Sequence, residues 1–294
     1  MPALLADRLP STLVSIAQLL LHRRHGLADL NAMPRIERAV SGARISEDWL
    51  RRYQRCTGGA AWPLGCMPPL ALQIVSSPLH MSVMADRAFP FRPLGIVHQS
   101  QRIQQWQVLS PTVAYDLKVY TSEASVEPRG ISFGLVTEAR QGKTLVWRSE
   151  VRVLSMNRTL AKGASTKHYV EPFAGLQPLI NETLNVPETT GREYASIAGD
   201  YNPVHVHAWL ARPFGFRRAI AHGTWTLARA LSCASVAASP GLTLDARFHR
   251  PVELPSRIRV TSYFGAAPDA RWLRVTDADG TQTLLSASIT LARP

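Results

Sequence analysis

The stretch HGTWTLARALSCASVAAS, from His222 to Ser239, decides the fold, because it predicts a helix that is apolar or small on nearly every side. A helix of this kind should be buried, and its alanines would let neighbouring strands approach closely. Four strand-like stretches follow it, namely LDARFHRPV, SRIRVTSYFG, RWLRVTDAD and TLLSASITLAR. The segment RIRVTSYF alternates with period two, as a half-buried strand requires. We therefore predict an antiparallel sheet wrapped around a central helix.

The first half of the chain repeats this order of elements. MPPLALQIVSSPLHMSVMA, from Met67 to Ala85, is a second apolar helical stretch, and strand-like stretches follow it as well. Upstream of each helix, YQRCTG (Tyr53 to Gly58) and YASIAG (Tyr194 to Gly199) share the spacing of tyrosine and glycine. The segment from about 157 to 187 lacks periodicity, so we expect it to connect the halves across the surface. The repeated order predicts a duplicated α+β fold.

The predicted halves are residues 1–165 and residues 166–294. Near its N-terminus the first half contains STLVSIAQLLLH, in which apolar residues recur at helical spacing. Asp7 and Arg8 precede this stretch and no small-residue cleavage site follows it, which favours an amphipathic helix over a signal peptide.

Composition and charge limit the classes of function. The chain has 294 residues, three scattered cysteines without a C-x-x-C pair, and a net charge of +12. The cysteines suit a reducing cytoplasm rather than a disulfide scaffold or a zinc site. We expect no membrane span and no nucleic-acid partner, because the chain holds neither a long apolar run nor a nucleic-acid motif. The positive charge fits either a basic surface without a ligand or a phosphate-bearing substrate or carrier.

The candidate catalytic residues lie in GDYNPVHVH, which runs from Gly199 to His207. Asn202 precedes Pro203 and should be extended, which breaks the helix between Asp200 and His205. An acid and a histidine can then converge across the turn, as acid–base chemistry needs. Asp200 could instead serve only as a turn or capping residue. His207 should point elsewhere, and we expect no metal because no third ligand cluster is nearby.

The stretch IAHGTW, from Ile220 to Trp225, marks the start of the long helix. Helix N-termini present free N–H groups, and Gly223 would let a ligand approach that backbone. A thioester carbonyl bound there would have an oxyanion hole as it becomes an enolate. A simple helix start with a packing glycine is the alternative.

Together these motifs, Y-x-x-x-x-G-D-x-N-P-x-H and the glycine of A-H-G eighteen residues after His205, closely resemble the signature of the MaoC-like (R)-specific enoyl-CoA hydratases. The resemblance covers roughly Tyr194 to Leu231 and extends more loosely to FHRPVELP, from Phe248 to Pro255. The first half matches only in layout. The two-half arrangement resembles the double hot-dog enzymes of this family.

The resemblance implies syn addition of water to a trans-2-enoyl thioester of CoA or acyl carrier protein, or the reverse dehydration, without a cofactor or metal. Asp200 and His205 would form the catalytic pair, Asn202 would help to hold the water, and the Gly223 N–H would polarise the thioester carbonyl. We prefer His205 on the water and Asp200 on C2. Further predicted substrate-binding residues are His222, Thr224, Trp225, Arg217 and Arg218.

The first half lacks the pair, because Gly59 and Leu64 stand where Asp200 and His205 would lie. We therefore expect a binding and structural first half, in which the lone His98 is structural. A homodimer is possible.

Two other classes stay open from the sequence. A hot-dog thioesterase would share the ligand but direct water at the carbonyl, and a non-catalytic acyl-thioester-binding subunit would keep the pair with a closed pocket. The intact D-x-N-P-x-H motif argues against the thioesterase.

Overall fold

The structure is a computed structural model. The predicted N-terminal helix, Leu64 and the boundary at 165 and 166 all lie outside the residues it describes. The described residues are 4–5, 26–27, 33–59, 65–92, 96–156, 173, 175–234, 236, 239–265, 267 and 269–291.

The first half contains three helices and six strands among its described residues. In chain order these are β1 (Leu4–Leu5), β2 (Glu37–Ile45), α1 (Glu47–Thr57), α2 (Ala71–Val75), α3 (Ser77–Ala85), β3 (Ile96–Gln105), β4 (Tyr115–Glu127), β5 (Gly130–Gln141) and β6 (Thr144–Met156).

The second half contains four α-helices, a short 3-10 helix and seven strands among its described residues. They are β7 (Pro178–Val186), α4 (Thr190–Ala198), α5 (Pro203–Val206), α6 (Ala208–Ala211), a 3-10 helix (Arg212–Phe214), β8 (Ala219–Ile220), α7 (Gly223–Cys233), β9 (Leu242–Phe248), β10 (Glu253–Leu254), β11 (Ser256–Phe264), β12 (Ala270–Asp277) and β13 (Thr283–Leu291).

One antiparallel sheet runs through both halves. Its strand order is β1-β2-β4-β5-β6-β3-β9-β13-β12-β11-β7, so the order of the first half is mirrored in the second. Strands β3 and β9 join the halves, with Gln101 opposite Ala246 and Ile103 opposite Leu244. The inner face of the sheet packs on buried helices, and α7 buries most of its residues. This is the predicted α+β double hot-dog fold.

The tyrosine–glycine repeat corresponds to two equivalent helices. Tyr53 on α1 and Tyr194 on α4 are both buried. Gly58 and Gly199 end these helices with φ of 74° and 69°, the left-handed conformation that glycine adopts without steric cost. Both helices therefore end at a glycine in the left-handed conformation, which explains why tyrosine and glycine have the same spacing in the two halves.

Two details of the prediction were wrong. The first-half helix is broken at Ser76 into α2 and α3. Pro78 causes this break, because it has no N–H to donate to the Ile74 carbonyl and its ring would clash with that group.

The predicted connection between the halves contains strand β7, which pairs with β11 at the edge of the sheet. Most of its residues are exposed, so it has no alternation of buried side chains that a sequence pattern could reveal.

Tryptophans connect the two halves near the helix that carries Gly223. The indole N–H of Trp225 donates to the Cys56 carbonyl at 3.1 Å, and that of Trp49 donates to the Ile197 carbonyl at 2.8 Å. Both rings are buried. The start of α7 is therefore fixed against α1 of the first half.

Among the described residues, no helix combines the length and the apolarity needed to cross a bilayer.

The three cysteines, Cys56, Cys66 and Cys233, are free thiols. The expected reducing compartment stays a prediction.

We expect Leu227→Ala to lower the free energy of unfolding by about 2–5 kcal/mol, because Leu227 is fully buried on α7 and its loss leaves a cavity. Denaturant unfolding followed by circular dichroism measures this change. Val126→Ala is the control, since Val126 is 59% exposed and should change stability by only about 0.5 kcal/mol. Equal effects of the two substitutions would contradict a core built around α7.

Candidate active site

The turn that follows α4 brings Asp200 and His205 to one place. Gly199 ends the helix, and the Asp200 carboxylate accepts a hydrogen bond from the Asn202 N–H at 3.1 Å. Asn202 has ψ of 128°, which is the extended conformation predicted for a residue before proline. Its side-chain oxygen accepts from the Val204 N–H and so caps α5, which carries His205. Asp200 thus forms a turn, but its half-exposed carboxylate stays accessible.

His205 is held in one orientation and one tautomer. Its Nδ1 lies 2.8 Å from the Ile220 carbonyl oxygen, and since a carbonyl only accepts, Nδ1 carries the proton. Nε2 therefore presents a lone pair. A side chain at Gly191 on α4 would collide with the His205 backbone carbonyl, so the position of α5 depends on a glycine there.

Burial keeps the imidazole of His205 neutral. It lowers the pKa below the ordinary 6.5, and this effect exceeds the opposing influence of the Asp200 carboxylate and of the bond to Ile220. A neutral imidazole with a free Nε2 can accept a proton from water near neutral pH.

His222 contacts both Asp200 and His205. Its ring stacks on that of His205 with centroids 3.7 Å apart, and its Nε2 donates to the Asp200 backbone carbonyl at 2.9 Å. Burial is the largest cause that lowers the pKa of His222 to about 4, and the neighbouring His205 lowers it further. His222 is therefore neutral, and its 3.8 Å approach to the Asp200 carboxylate is a polar contact rather than an ion pair. Its Nδ1 is buried without a hydrogen-bond partner.

Gly223 is the first residue of α7, whose first-turn N–H groups have no partner within the helix. A β-carbon at Gly223 would lie 3.1 Å from the Phe248 ring and 3.5 Å from Nδ1 of His98. Glycine therefore leaves the backbone at the helix start accessible at a point where any side chain would be crowded. This helix start follows directly after His222, so it adjoins the acid–base pair.

His98 is the residue whose surroundings the sequence did not indicate. It lies on β3 of the first half, yet its ring packs on that of Phe248 with centroids 4.2 Å apart, next to Gly223. Burial lowers its pKa to about 4, and its Nε2 is buried without a partner. The first half thus contributes a neutral histidine beside the start of α7. No pattern in GIVHQSQRI could have placed it there, because the contact depends on the pairing of β3 with β9.

The other predicted substrate-binding residues lie in different surroundings. Thr224 is half-buried in the first turn of α7, whereas Trp225 points into the core toward α1, which favours a packing role for its ring. Arg217 and Arg218 are exposed, and Arg218 donates to the Pro255 carbonyl at 3.3 Å. The structure therefore brings His222 to the pair, places Gly223 and Thr224 in the adjoining first turn of α7, and directs the Trp225 ring into the core.

A third potential metal ligand does lie near Asp200 and His205, contrary to the prediction from the sequence. His222 supplies the third potential ligand that the sequence did not indicate, and the donor atoms of Asp200, His205 and His222 all lie within 4.8 Å of one another. Nδ1 of His205 and Nε2 of His222 are already donors to carbonyl groups, so each ring has only its other nitrogen for a ligand.

The first half contains no equivalent pair among its described residues. Gly59, where Asp200 would lie, has no side chain, and a β-carbon there would crowd Gln54. The core of that half instead holds a polar cluster in which His80 contacts Gln73 and Thr137 at 3.3 and 2.8 Å. Burial lowers the pKa of His80 to about 4, so this histidine is neutral as well.

A cavity of about 490 Å³ lies on the outer face of the second-half sheet, beside Arg259 and Thr261 of β11. Ile258 and Val260, the neighbours of Arg259 on that strand, point into the core instead. The cavity contains none of the predicted site residues.

The chain has a double hot-dog fold that places an acid–histidine pair beside a helix start. Residues 172–271 match the family described as "MaoC like domain".

Named relatives agree with this assignment. The chain is 28% identical to 3-hydroxyacyl-thioester dehydratase X of Mycobacterium tuberculosis over 200 residues. These aligned residues cover 66% of this chain and 68% of the relative. A crystal structure of HtdX from Mycobacterium tuberculosis matches with a TM-score of 0.71 and 26% identity over 85% of this chain and 97% of that chain. A MaoC-like dehydratase from Phytophthora capsici shares the fold, with a TM-score of 0.69 and 16% identity over 90% of this chain and 98% of that chain.

Proposed function

We propose that the protein is a hydro-lyase that interconverts trans-2-enoyl thioesters and (R)-3-hydroxyacyl thioesters of CoA or acyl carrier protein. The observation that carries this proposal is the geometry of His205, whose Nδ1 is fixed on the Ile220 carbonyl and whose ring has a nitrogen within 4.8 Å of an Asp200 carboxylate oxygen. The name of the Mycobacterium tuberculosis relative, a hydroxyacyl-thioester dehydratase, supports the same reaction class.

In the hydration direction, His205 Nε2 takes a proton from water while the water oxygen bonds to C3. The electron pair of the double bond moves toward the thioester carbonyl, whose oxygen becomes negative and accepts from the Gly223 N–H. The proton that His205 took from the water passes through the Asp200 carboxylate to C2, so the hydroxyl ends on C3, the hydrogen ends on C2, and both side chains return to their starting states. Asn202 assists by holding the water, and dehydration is the same path in reverse.

We assign this chemistry to the second half, residues 166–294, and a supporting role to the first half, residues 1–165. Two contacts support this division: Trp225 is anchored on Cys56 of α1, and His98 of β3 lies against Gly223. A fixed helix start benefits the reaction because an oxyanion hole acts through donors that need no reorganisation. We propose the cytoplasm as the location.

Absorbance of the conjugated enoyl thioester, followed in parallel with release of free thiol, tests the proposal. Crotonyl-CoA should lose its enoyl absorbance without thiol release when the purified protein is added. Thiol release would identify a thioesterase instead, and no change in either signal would leave only a binding function.

We expect kcat/KM for hydration to fall with acid, with a midpoint below pH 6.5. His205 must be neutral to accept a proton, and burial lowers its pKa below the ordinary 6.5, so the active form persists to lower pH than a solvent-exposed histidine would allow. A pH–rate profile of kcat/KM reports the pKa of the free enzyme. An acidic limb with a midpoint above 6.5 would contradict the assignment of the base.

We also expect the KM for crotonyl-CoA to rise with ionic strength, because Arg217 and Arg218 are exposed and suit the phosphates of CoA or phosphopantetheine. Arg217→Ala with Arg218→Ala should raise KM at low salt and flatten its salt dependence. Lys143→Ala, in the exposed turn between β5 and β6, is the matched control. A KM that stays constant from low to high salt in the wild type would remove these arginines from the ligand site.

A further inference from the structure

The segment that carries the acid–base pair exposes large apolar side chains. Trp209 is 73% exposed and Tyr201 is 61% exposed, which makes them the two most exposed large apolar side chains of the described chain, and Leu210 is 49% exposed. Tyr201 directly follows Asp200, and the backbone N–H of Trp209 donates to Nδ1 of His207. Trp209 and Leu210 are adjacent in the chain. Exposed apolar side chains grouped in this way mark interaction sites.

Four arginines belong to this segment or contact it. Arg192 donates to the Val206 carbonyl at 3.2 Å, the Arg212 guanidinium lies 5.9 Å from the centre of the Trp209 ring, and Arg217 and Arg218 follow on the same segment. None of the four lies within 4.0 Å of a carboxylate oxygen in the described part of the chain. Asp200 is the one acid between Gly199 and Ile220. We call this set, Tyr201, Trp209, Leu210, Arg192, Arg212, Arg217 and Arg218, the docking patch.

The shape of the docking patch favours a protein over a small molecule. Small ligands bind in concave pockets that bury most of their surface, whereas Trp209 and Tyr201 protrude into solvent. Tryptophan, tyrosine and arginine are the side chains enriched where proteins bind tightly to proteins. A positive rim around apolar anchors also selects an acidic partner and speeds its encounter.

We propose that the docking patch binds an acyl carrier protein, an acidic protein that carries the acyl thioester on a phosphopantetheine arm. This inference rests on the proposed function, since it names the carrier that brings the thioester to Asp200 and His205. Bound there, the carrier protein contacts residues next to Asp200 in the chain, so its arm has only a short distance to cover.

The test compares one acyl group on two carriers. The double variant Trp209→Ser with Leu210→Ser removes the apolar anchors without touching the acid–base pair. We expect its KM for crotonyl-acyl carrier protein to rise by about tenfold or more, the effect of losing a binding hot spot. Its kcat and KM for crotonyl-CoA should stay within about twofold of the wild type, because small-molecule binding does not need the protruding side chains.

Phe264→Ser is the matched control. Phe264 is also an exposed aromatic residue next to an arginine, with Arg271 4.5 Å from its ring centre. It lies at the opposite end of β11 from Pro255, whose carbonyl is bonded to Arg218. This substitution should change neither KM.

Binding without turnover gives a second readout. Holo-acyl carrier protein with no acyl group should bind the wild type in calorimetry at low salt and bind the double variant at least about tenfold more weakly. This measurement distinguishes two failures. If the proposed function is wrong, the wild type hydrates neither thioester. If only the docking proposal is wrong, the wild type hydrates thioesters but binds the carrier protein no better than the double variant does.

Three results would overturn the docking proposal. An unchanged KM for the carrier-bound substrate would mean that the patch does not bind the carrier. Equal losses on both substrates would mean that the patch supports the active site itself. Loss of a dimer in sedimentation, with the carrier KM unchanged, would mean that the patch is an interface between two copies of this chain.

Discussion

Asp200→Asn and His205→Gln should each lower kcat for hydration of crotonyl-CoA by about 10²- to 10⁴-fold, the usual contribution of a general acid–base group. Each substitution keeps a polar side chain of similar size but removes the ability to exchange a proton. The double variant should be about as slow as the slower single variant, because the two groups act in one step. Enoyl absorbance measures the rates, and circular dichroism verifies the fold.

His207→Gln provides the control for His205→Gln. His207 lies two residues further along and is exposed, and its ring nitrogen caps α6 by accepting from the Trp209 N–H. It should keep activity close to that of the wild type. A His205→Gln variant with nearly normal kcat would remove His205 from the chemistry.

Gly223→Pro should lower kcat by about 10²- to 10³-fold more than Gly223→Ala, because proline removes the N–H that we assign to the oxyanion hole. The helix start can accept proline. Gly223 is the first helical residue, where proline is favoured, and His222 before it has φ of −64° and ψ of 138°, as a residue preceding proline requires.

The alanine variant makes this comparison interpretable. Both substitutions introduce a β-carbon 3.1 Å from the Phe248 ring, so both share the cost of crowding, and only proline lacks the N–H. Equal kcat values for two folded variants would mean that this N–H does not stabilise the transition state.

The sequence predicted the fold because its signals were local. The apolar stretch that became α7, the tyrosine–glycine spacing that became the ends of α1 and α4, and the alternation along β11 can each be seen within a short window. Where the pattern was weak, the prediction failed. Strand β7 is mostly exposed at a sheet edge, and the break at Ser76 depends on which of several prolines the helix can accommodate.

The site was predictable in part for the same reason. Asp200, Asn202 and His205 lie within six residues, and the conformation of Asn202 followed from the proline after it. The stacking of His222 on His205 and the approach of His98 to Gly223 could not be predicted. The first depends on how the 206–221 segment folds back, and the second on a strand pairing between the two halves.

The stereochemistry of the product formed from crotonyl-CoA decides whether this chain adds water across the double bond of an enoyl thioester in the way we propose. The product should be separated by chiral chromatography after incubation with the wild type and with the Asp200→Asn variant. We expect (R)-3-hydroxybutyryl-CoA from the wild type and almost none from the variant. Formation of the (S) product, release of free CoA with crotonate, or equal yields from both proteins would rule out the proposed hydration by Asp200 and His205.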